Sequence, residues 1–528
     1  MKQHEETPYF KKQFKRVVLV SLLCLGVSRE SNAAEPLEVL LKELPDQKVS
    51  FEVVLGYALK SSSFKIVAAS WFLPEATKLR SQALLDFHLV AKQQSLRDLS
   101  KPQTILSPEE VISQASSLGF NKSFQTGTSF AADWTNKKLN TNFGGGATGN
   151  PTFDSVLKDR SEYMPEVSVS IKQDLLKNSF GRAVRASLTQ AEKQSESQKI
   201  QAREAIKVWY FGLLKTFYGA WLAQEQVRQA DKDYQRQLRL YRVSEQRFRR
   251  GNTEQADFLQ IKVGLNLSEQ RKIAAQQKLG EIWHEVVAQL ELPAEWLQID
   301  PLQVPLQLDE PTELALEHCE RGWVEAESVD IQLATIERDM AEAQELAAKS
   351  RLLPDVSAFA TIKRGSRNSS ASDAQKEVAR GEYPVTTYGV QLDWNFFSSQ
   401  EKAQALEARV ARLKANSMLV VKKGSAQSAW VAQCSNLRRL SVYQGQLKLA
   451  LKDQNQRLDL EEKRFREGRS LLLQLIQAQG DLNSTQGLHS QNSIDLRLSA
   501  WDVFRQGHFL SERVGRVMED FSSIVGGH

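Results

Sequence analysis

Apolar positions along this chain follow two periods, and each period occurs twice. From Gly181 to Arg250, Ile206, Tyr210, Leu213, Phe217, Ala220, Val227, Tyr234, Leu238, Tyr241 and Phe248 recur at alternating steps of four and three, interrupted at Gln224, Asp231 and Glu245. This is a heptad seam. A helix of about 70 residues measures roughly 100 Å at 1.5 Å per residue, so the seam is expected to pack along equally long helices as a coiled coil. A second long helix carries Leu447, Leu451, Leu458 and Phe465 and runs to Glu467. Each long helix is followed by a return helix. The first bears Phe258, Ile261, Leu265, Leu279, Ile282, Val286 and Leu290 and stops before Pro293; the second spans about Leu471 to Gln506.

The other period is two. Val167, Val169 and Ile171 alternate with Ser168, Ser170 and Lys172, and Val390, Leu392, Trp394 and Phe396 alternate with Gln391, Asp393 and Asn395. Strands are therefore expected at Val167 to Leu176 and Thr386 to Phe397, each leading into a long helix. The hinges also match. Arg247-Phe248-Arg249-Arg250-Gly251 recurs as Arg464-Phe465-Arg466-Glu467-Gly468, with Gly where a left-handed helix stop favours it. Between strand and hinge the two copies differ by about one helical turn, which keeps the apolar face nearly in phase. The chain is thus a tandem repeat, divided as residues 1–34 (leader), 35–302 and 303–528.

Other segments are less patterned. A helix is expected from Phe51 to Ala83, kinked at Pro74, and Leu84 to Leu99 is a candidate strand of poor alternation. The region up to Asp159 has loop composition around Gly144, Gly145, Gly146, Gly149, Asn150 and Pro151, with one short helical run near Pro108 to Leu118. Within it Phe124 to Thr128 reads as a hairpin turn entering a strand at Ser129 to Trp134. Asp300 to Pro311 is the linker between repeats. The second repeat opens with a helix from Glu313 to Leu352, then Pro354, a strand at Val356 to Lys363 and a loop with Ser369 to Ser372.

Charge changes the picture little: a net +5 over 528 residues, with basic residues spread along helix faces, gives no case for nucleic acid. The N-terminus changes it more. Lys11, Lys12, Lys15 and Arg16 precede an apolar run from Val17 to Val27 and small residues at Ser31 to Ala34, the pattern of a cleaved secretory signal. Leu23 before Cys24 argues against a lipoprotein. Cys319 and Cys434 lie in different helical segments that sequence does not pair, and free buried thiols are the default expectation. No later stretch approaches 18 apolar residues, so a membrane-embedded form would have to be a closed barrel.

Enzymatic chemistry finds no constellation. The seven histidines show no metal spacing, Trp283-His284-Glu285 lacks a second His one turn on, and His318-Cys319-Glu320 sits on a helix where neighbours diverge. There is no Ser-centred elbow and no phosphate-binding Gly-rich loop with Lys. No cofactor or metal is expected.

Export signal, tandem repeat, strands feeding helices of about 70 residues and Gly-marked tips together resemble the TolC-like outer membrane efflux proteins. Leu352-Leu353-Pro354-Asp355-Val356 resembles the family's entry into a strand. Tyr388 to Phe397 resembles its strand exit, and Gln173-Asp174-Leu175-Leu176 with Phe180-Gly181-Arg182 resembles its exit and helix start. Asp174, Asn395 and Asp86 depart from the family's prolines. The resemblance implies a mainly α fold with β: a homotrimeric transmembrane β-barrel of twelve strands, four per protomer, continued into a periplasmic α-helical coiled-coil barrel. The region from Lys101 to Asp159 exceeds what four strands need, so the Phe124 to Trp134 hairpin either extends the barrel or lies on an extracellular loop.

It further implies a passive exit duct for a tripartite efflux or type I secretion system, in the outer membrane of a Gram-negative bacterium. Its partners would be outer-membrane lipid, a periplasmic adaptor (membrane fusion) protein and an inner-membrane transporter. Membrane-facing residues would be Val167, Val169, Ile171, Val390, Leu392, Trp394 and Phe396, the aromatics near the strand end forming an interfacial belt or packing into a core. Adaptor contacts would be Gly251, Asn252, Thr253, Gly468, Arg469 and Ser470. The periplasmic aperture would fall at Gln474 and Gln477, with Asp257 in the first repeat, so that an acidic ring is missing or displaced. The alternative is an exported coiled-coil scaffold or adaptor without a pore.

Overall fold

The computed structural model describes residues 48–101, 107–143, 159–251 and 254–506. The leader with Cys24, the glycine-rich stretch at 144–151, Asn252, Thr253 and the tail lie outside these. The described residues form two compact units: those within 72–198 and 333–421, and those within 48–71, 199–332 and 422–506.

The first unit is built on one antiparallel sheet of six strands, β2 (Phe87–Asp98), β3 (Glu110–Ser123), β4 (Thr128–Asn142), β5 (Arg160–Asp174), β7 (Asp355–Gly365) and β8 (Pro384–Asp393), in that spatial order. Two strands exceed the four that the family resemblance implies. They come from the Lys101 to Asp159 region, where the Phe124 to Thr128 turn joins β3 to β4. The helical run expected near Pro108 to Leu118 is instead strand: Val111 to Leu118 pair residue by residue with β2 and β4. So short a run fits either period, and cross-strand pairing decides it. The Leu84 to Leu99 strand is present as β2. The strand expected to reach Phe397 ends at Asp393, leaving Trp394 and Phe396 beyond it with ring centroids 4.3 Å apart. The expected Ser369 to Ser372 loop leads into a short helix, Ala371–Arg380, which Gly381 ends in the left-handed conformation.

A corner fixes the hairpin to the sheet. Gly127 (φ +73°) and Gly181 (φ +78°) oppose each other, and a Cβ on Gly181 would lie 1.7 Å from the Gln125 carbonyl oxygen. Asn178 caps the following helix, its Oδ1 accepting from the Ala183 amide at 2.9 Å. The β3–β4 turn is thus seated against the exit from β5.

The second unit is helical. Taking helices in chain order, α1 (Phe51–Ala58) and α2 (Ser62–Ala69) precede α3 (Leu73–Gln82) of the first unit. The helix expected over Phe51 to Ala83 is therefore three pieces: Ser61 caps α2, and Pro74 sits at the first turn of α3, where its missing N–H costs nothing. The two long helices are α4 (Arg182–Arg249) and α9 (Ser399–Arg466), of 68 residues each. Their returns are α5 (Gln255–Gln289) and α10 (Leu472–Gln506), of 35 each. The two long helices are thus equal in length, and so are their returns. The expected Glu313 to Leu352 helix is broken at Gly322 (φ +88°) into α6 (Thr312–Arg321) and α7 (Val329–Arg351), most of α7 and all of α8 (Ala371–Arg380) belonging to the first unit. Short strands β1 (Val49–Ser50) and β6 (Leu306–Gln307) pair in parallel and tie the start of this unit to the inter-repeat linker.

Its core is aromatic. Phe51 packs on Tyr210 and Phe217 at centroid distances of 5.2 and 5.7 Å, and Tyr210 lies 5.8 Å from Trp501. Each such side chain contributes on the order of 1.5–3 kcal/mol through burial. The heptad seam holds from Ile206 to Val227 with every position buried, the interrupting Gln224 included, its amide donating to the carbonyls of Pro301 and Val304. Beyond Val227 it shifts: Asp233, Leu240 and Ser244 are buried, whereas Tyr234, Leu238 and Tyr241 are half-buried and Phe248 is exposed. A straight helix drifts from a strict seven-residue repeat, so the buried stripe leaves the apolar positions. Cys319 on α6 and Cys434 on α9 are joined by a disulfide, Cα–Cα 5.7 Å, correcting the expectation of free thiols. The fold brings together two cysteines that sequence leaves 115 residues apart, and such bonds belong to oxidising compartments.

Candidate functional site

Register sorts the sheet into two faces. Opposite one another on one face lie Leu89, Phe120, Ala132, Val169, Ile362 and Thr386, and beside them Ala91, Leu118, Trp134 and Val167. Ile171, Ala360 and Tyr388 continue this face one step along, followed by Ala358 with Val390 and by Val356 with Leu392. The result is an apolar belt crossing all six strands. Among the described residues nothing covers it: Leu89 and Val390 are each 67 % exposed, Tyr388 80 %. The expected set Val167, Val169, Ile171, Val390 and Leu392 is thus brought onto one face, whereas Trp394 and Phe396 follow the strand end.

The other face is polar. Lys92, Ser117, Thr135 and Glu166 align across β2 to β5, and Lys363 reaches Glu166 at 2.9 Å. Asp133 comes so close to Gly119 that any Cβ there would meet its carboxylate at 2.7 Å. Sequence reading expected strands at β2 and at the start of β4 without assigning their residues to a face, and took part of β3 for helix, because none of the three alternates cleanly.

The helical unit holds both hinge tips. Gly251 (φ +74°) and Gly468 (φ +73°) each end a long helix in the left-handed conformation, as expected. At the second tip the Arg469 amide reaches back to the Arg464 carbonyl at 2.8 Å and the Gly468 amide to Phe465 at 3.1 Å, a Schellman closure. Arg247 joins the tips: its guanidinium donates to the carbonyls of Phe465 (3.2 Å) and Arg466 (2.6 Å), filling orphan acceptors at the negative end of α9. The first hairpin is clasped by Phe248 stacked on Phe258 at 4.8 Å; the second uses Leu458, Leu472 and Leu475. Ser470 donates to Glu461 at 2.7 Å, and this bond holds the Glu461 carboxyl below its ordinary range. Gln474 lies 3.0 Å from Ser470 Oγ, and Gln474, Gln477 and Asp257 are all exposed in the turns that follow the glycines.

Two polar arrangements escaped sequence reading. Along α4 and α10, Gln229 donates to Ser490 (2.7 Å), Asn483 to Asp233 (2.8 Å), Arg236 to Asn483 (2.6 Å) and Gln237 to Gln479 (2.8 Å). Asp233 is 5 % exposed and also meets Arg271 of α5 at 3.3 Å. A buried charge is tolerable only with such partners. The second is a clasp on the linker: Trp501 Nε1 donates to Asp309 (3.0 Å), Tyr218 OH donates to the same carboxylate, and Arg497 meets the Asp309 carbonyl (2.9 Å) and Glu310. Burial, then the Asp309 charge, push the Tyr218 hydroxyl far above its ordinary value, so it stays a donor. Among the described residues no group of three or more His, Cys, Asp or Glu is placed to hold a metal ion. Nor is any described helix long and apolar enough to cross a membrane.

No family model matches the chain. Among solved structures, the outer membrane protein VceC of Vibrio cholerae superposes with a TM-score of 0.62 at 13 % identity, over 87 % of this chain and 96 % of that one. The CmeC outer membrane channel of Campylobacter jejuni gives 0.61 at 11 % identity over 94 % of each chain. The fold is that of the TolC-like outer-membrane channels. The alkaline protease secretion protein AprF of Pseudomonas aeruginosa is 22 % identical over 258 residues, 49 % of this chain. The chain spans about half the length of that curated relative, 51 %.

Proposed function

We propose that this protein is an outer-membrane exit duct of a tripartite efflux or type I secretion system, passively conducting cargo delivered by an inner-membrane transporter. The observation that carries the reading is the uncovered apolar belt on one face of a sheet whose other face is polar. An apolar face of that kind turned to lipid, with the polar face lining water, is how a β-structure crosses a bilayer. Copies of the chain, three by the family resemblance, close the barrel, and α4, α5, α9 and α10 line a periplasmic tunnel. The likeness to channel structures and to AprF supports this reading. The disulfide agrees with export.

In this reading Gly251, Asn252, Thr253, Gly468, Arg469 and Ser470 present the tips to a periplasmic adaptor. The aperture beside them is lined by Gln474 and Gln477, with Asp257 set apart on the first repeat. Without a ring of carboxylates, multivalent cations should block weakly, and Gln477→Asp should strengthen the block. The channel carries no energy source; opening is a repacking of helices biased by adaptor binding.

Reconstitution of the purified protein into a planar bilayer tests the proposal. Discrete conductance steps, together with an oligomer band on unheated gels that collapses on heating, are expected. Full solubility without detergent and no conductance would favour the coiled-coil scaffold instead.

A further inference from the structure

Among the described residues the sheet has six strands, and its two outermost, β2 and β8, pair with nothing along their outer edges. Residues of β2 are exposed along all twelve positions and those of β8 along nearly all ten. Open edges with an apolar face cannot stay unpaired in lipid, because each unsatisfied backbone group there costs several kcal/mol on the order of a lost hydrogen bond. Nor can six strands close alone, since the smallest transmembrane barrels take about eight.

The directions of the edges name the occupant. Every neighbouring pair in the sheet is antiparallel, so with an even number of strands β2 and β8 run in opposite senses. A second copy of this chain, related by rotation about a common axis, therefore brings its β2 alongside β8 with the antiparallel sense the ladder requires. Both edges are served by one repeated contact, and the ring closes without a leftover edge.

The inserted hairpin belongs to this wall and is not an appendage. β3 pairs with β2 over twelve residues and β4 with β5 over fourteen, and the apolar belt continues through Phe120, Leu118, Ala132 and Trp134 without a gap. The turn is locked where Gly127 meets Gly181, an approach no side chain would permit. Resting on the trimeric duct proposed above, we infer that three copies close a barrel of eighteen strands, through β2 to β8 contacts between copies, where the family resemblance implies twelve. Barrels of that size leave a water-filled lumen rather than one filled by side chains.

Two sets of variants of the full chain, one with a single added cysteine and one with a pair, both made with Cys319 and Cys434 kept, test this in proteoliposomes. A fluorophore at Phe120→Cys or Trp134→Cys should be quenched by brominated acyl chains about as strongly as one at Val169→Cys, and about twofold or more beyond one at Ser117→Cys or Asp133→Cys. Pairing Val90→Cys with cysteines stepped along β8 from Thr386 to Leu392 should give an oxidation ladder ending at three copies. Quenching at position 169 but not at 120 or 134 would overturn the inference while leaving the duct intact. A ladder ending at two copies would also overturn it. No quenching at 169 would remove the duct reading itself.

Discussion

The two units of this protein solve the same problem in opposite ways. In the helical unit apolar side chains find each other inside the chain: Phe51, Tyr210, Phe217 and Trp501 close a core, and Leu240, Ile261, Leu458 and Leu475 close another where the hairpins meet. In the sheet unit Leu89, Val390 and Tyr388 stay exposed among the described residues. A hydrophobic surface left uncovered at this scale marks a partner phase. One unit carries its solvent-excluding interior with it, and the other, in the function proposed above, completes its own against lipid and copies of itself.

The comparison breaks most sharply at Trp501. Trp501→Ala removes a buried ring and its bonds to Tyr218 and Asp309, and should cost about 3–5 kcal/mol, read as an earlier denaturant midpoint of the helical signal. Membrane insertion of the sheet should survive in the fraction that folds. Val169→Lys is the converse. It should cost about 2–4 kcal/mol of insertion, measured by refolding into liposomes, while Ser170→Lys on the opposite face costs little. Equal penalties at 169 and 170 would deny the two-faced sheet.

Smaller effects sharpen the helical side. Gly468→Ala forces a Cβ into the left-handed region at a tip with open space around it, so only backbone strain of about 1 kcal/mol is expected, with the hairpin still formed. A larger loss would mean the tip packs more tightly than its surroundings suggest. The smallest effect is a pH slope from His489. Burial first, then Lys448 and Arg497 against the opposing Glu225, hold its imidazole below the ordinary value, while its Nε2 sits 3.1 Å from Gln444. As pH falls through about 6.5 the unfolded chain takes up the proton first, so stability present above that range declines below it. His489→Gln should flatten that part of the melting-temperature profile between about pH 7 and 5.

Much of this was legible residue by residue. The duplicated Gly251 and Gly468 stops, the long helices and the alternation at Val167 to Ile171 and Val390 to Leu392 are local signals, each fixed by backbone preference or a single period. The misses share a cause. Val111 to Leu118 reads as helix until β2 and β4 flank it. The seam past Val227 follows the apolar pattern in sequence, yet Asp233 is buried because Asn483, Arg236 and Arg271 converge on it from three helices. Cys319 and Cys434 carry no spacing that pairs them.

The sequence by itself thus determined which segments are rod and which are ribbon, where the rods turn, and which side of two ribbons is greasy. Only the tertiary structure decided how many ribbons lie edge to edge, which polar groups share the buried stripe and which thiols meet. Periodicity is a property of a segment alone, whereas pairing depends on a surface contributed by residues hundreds of positions away.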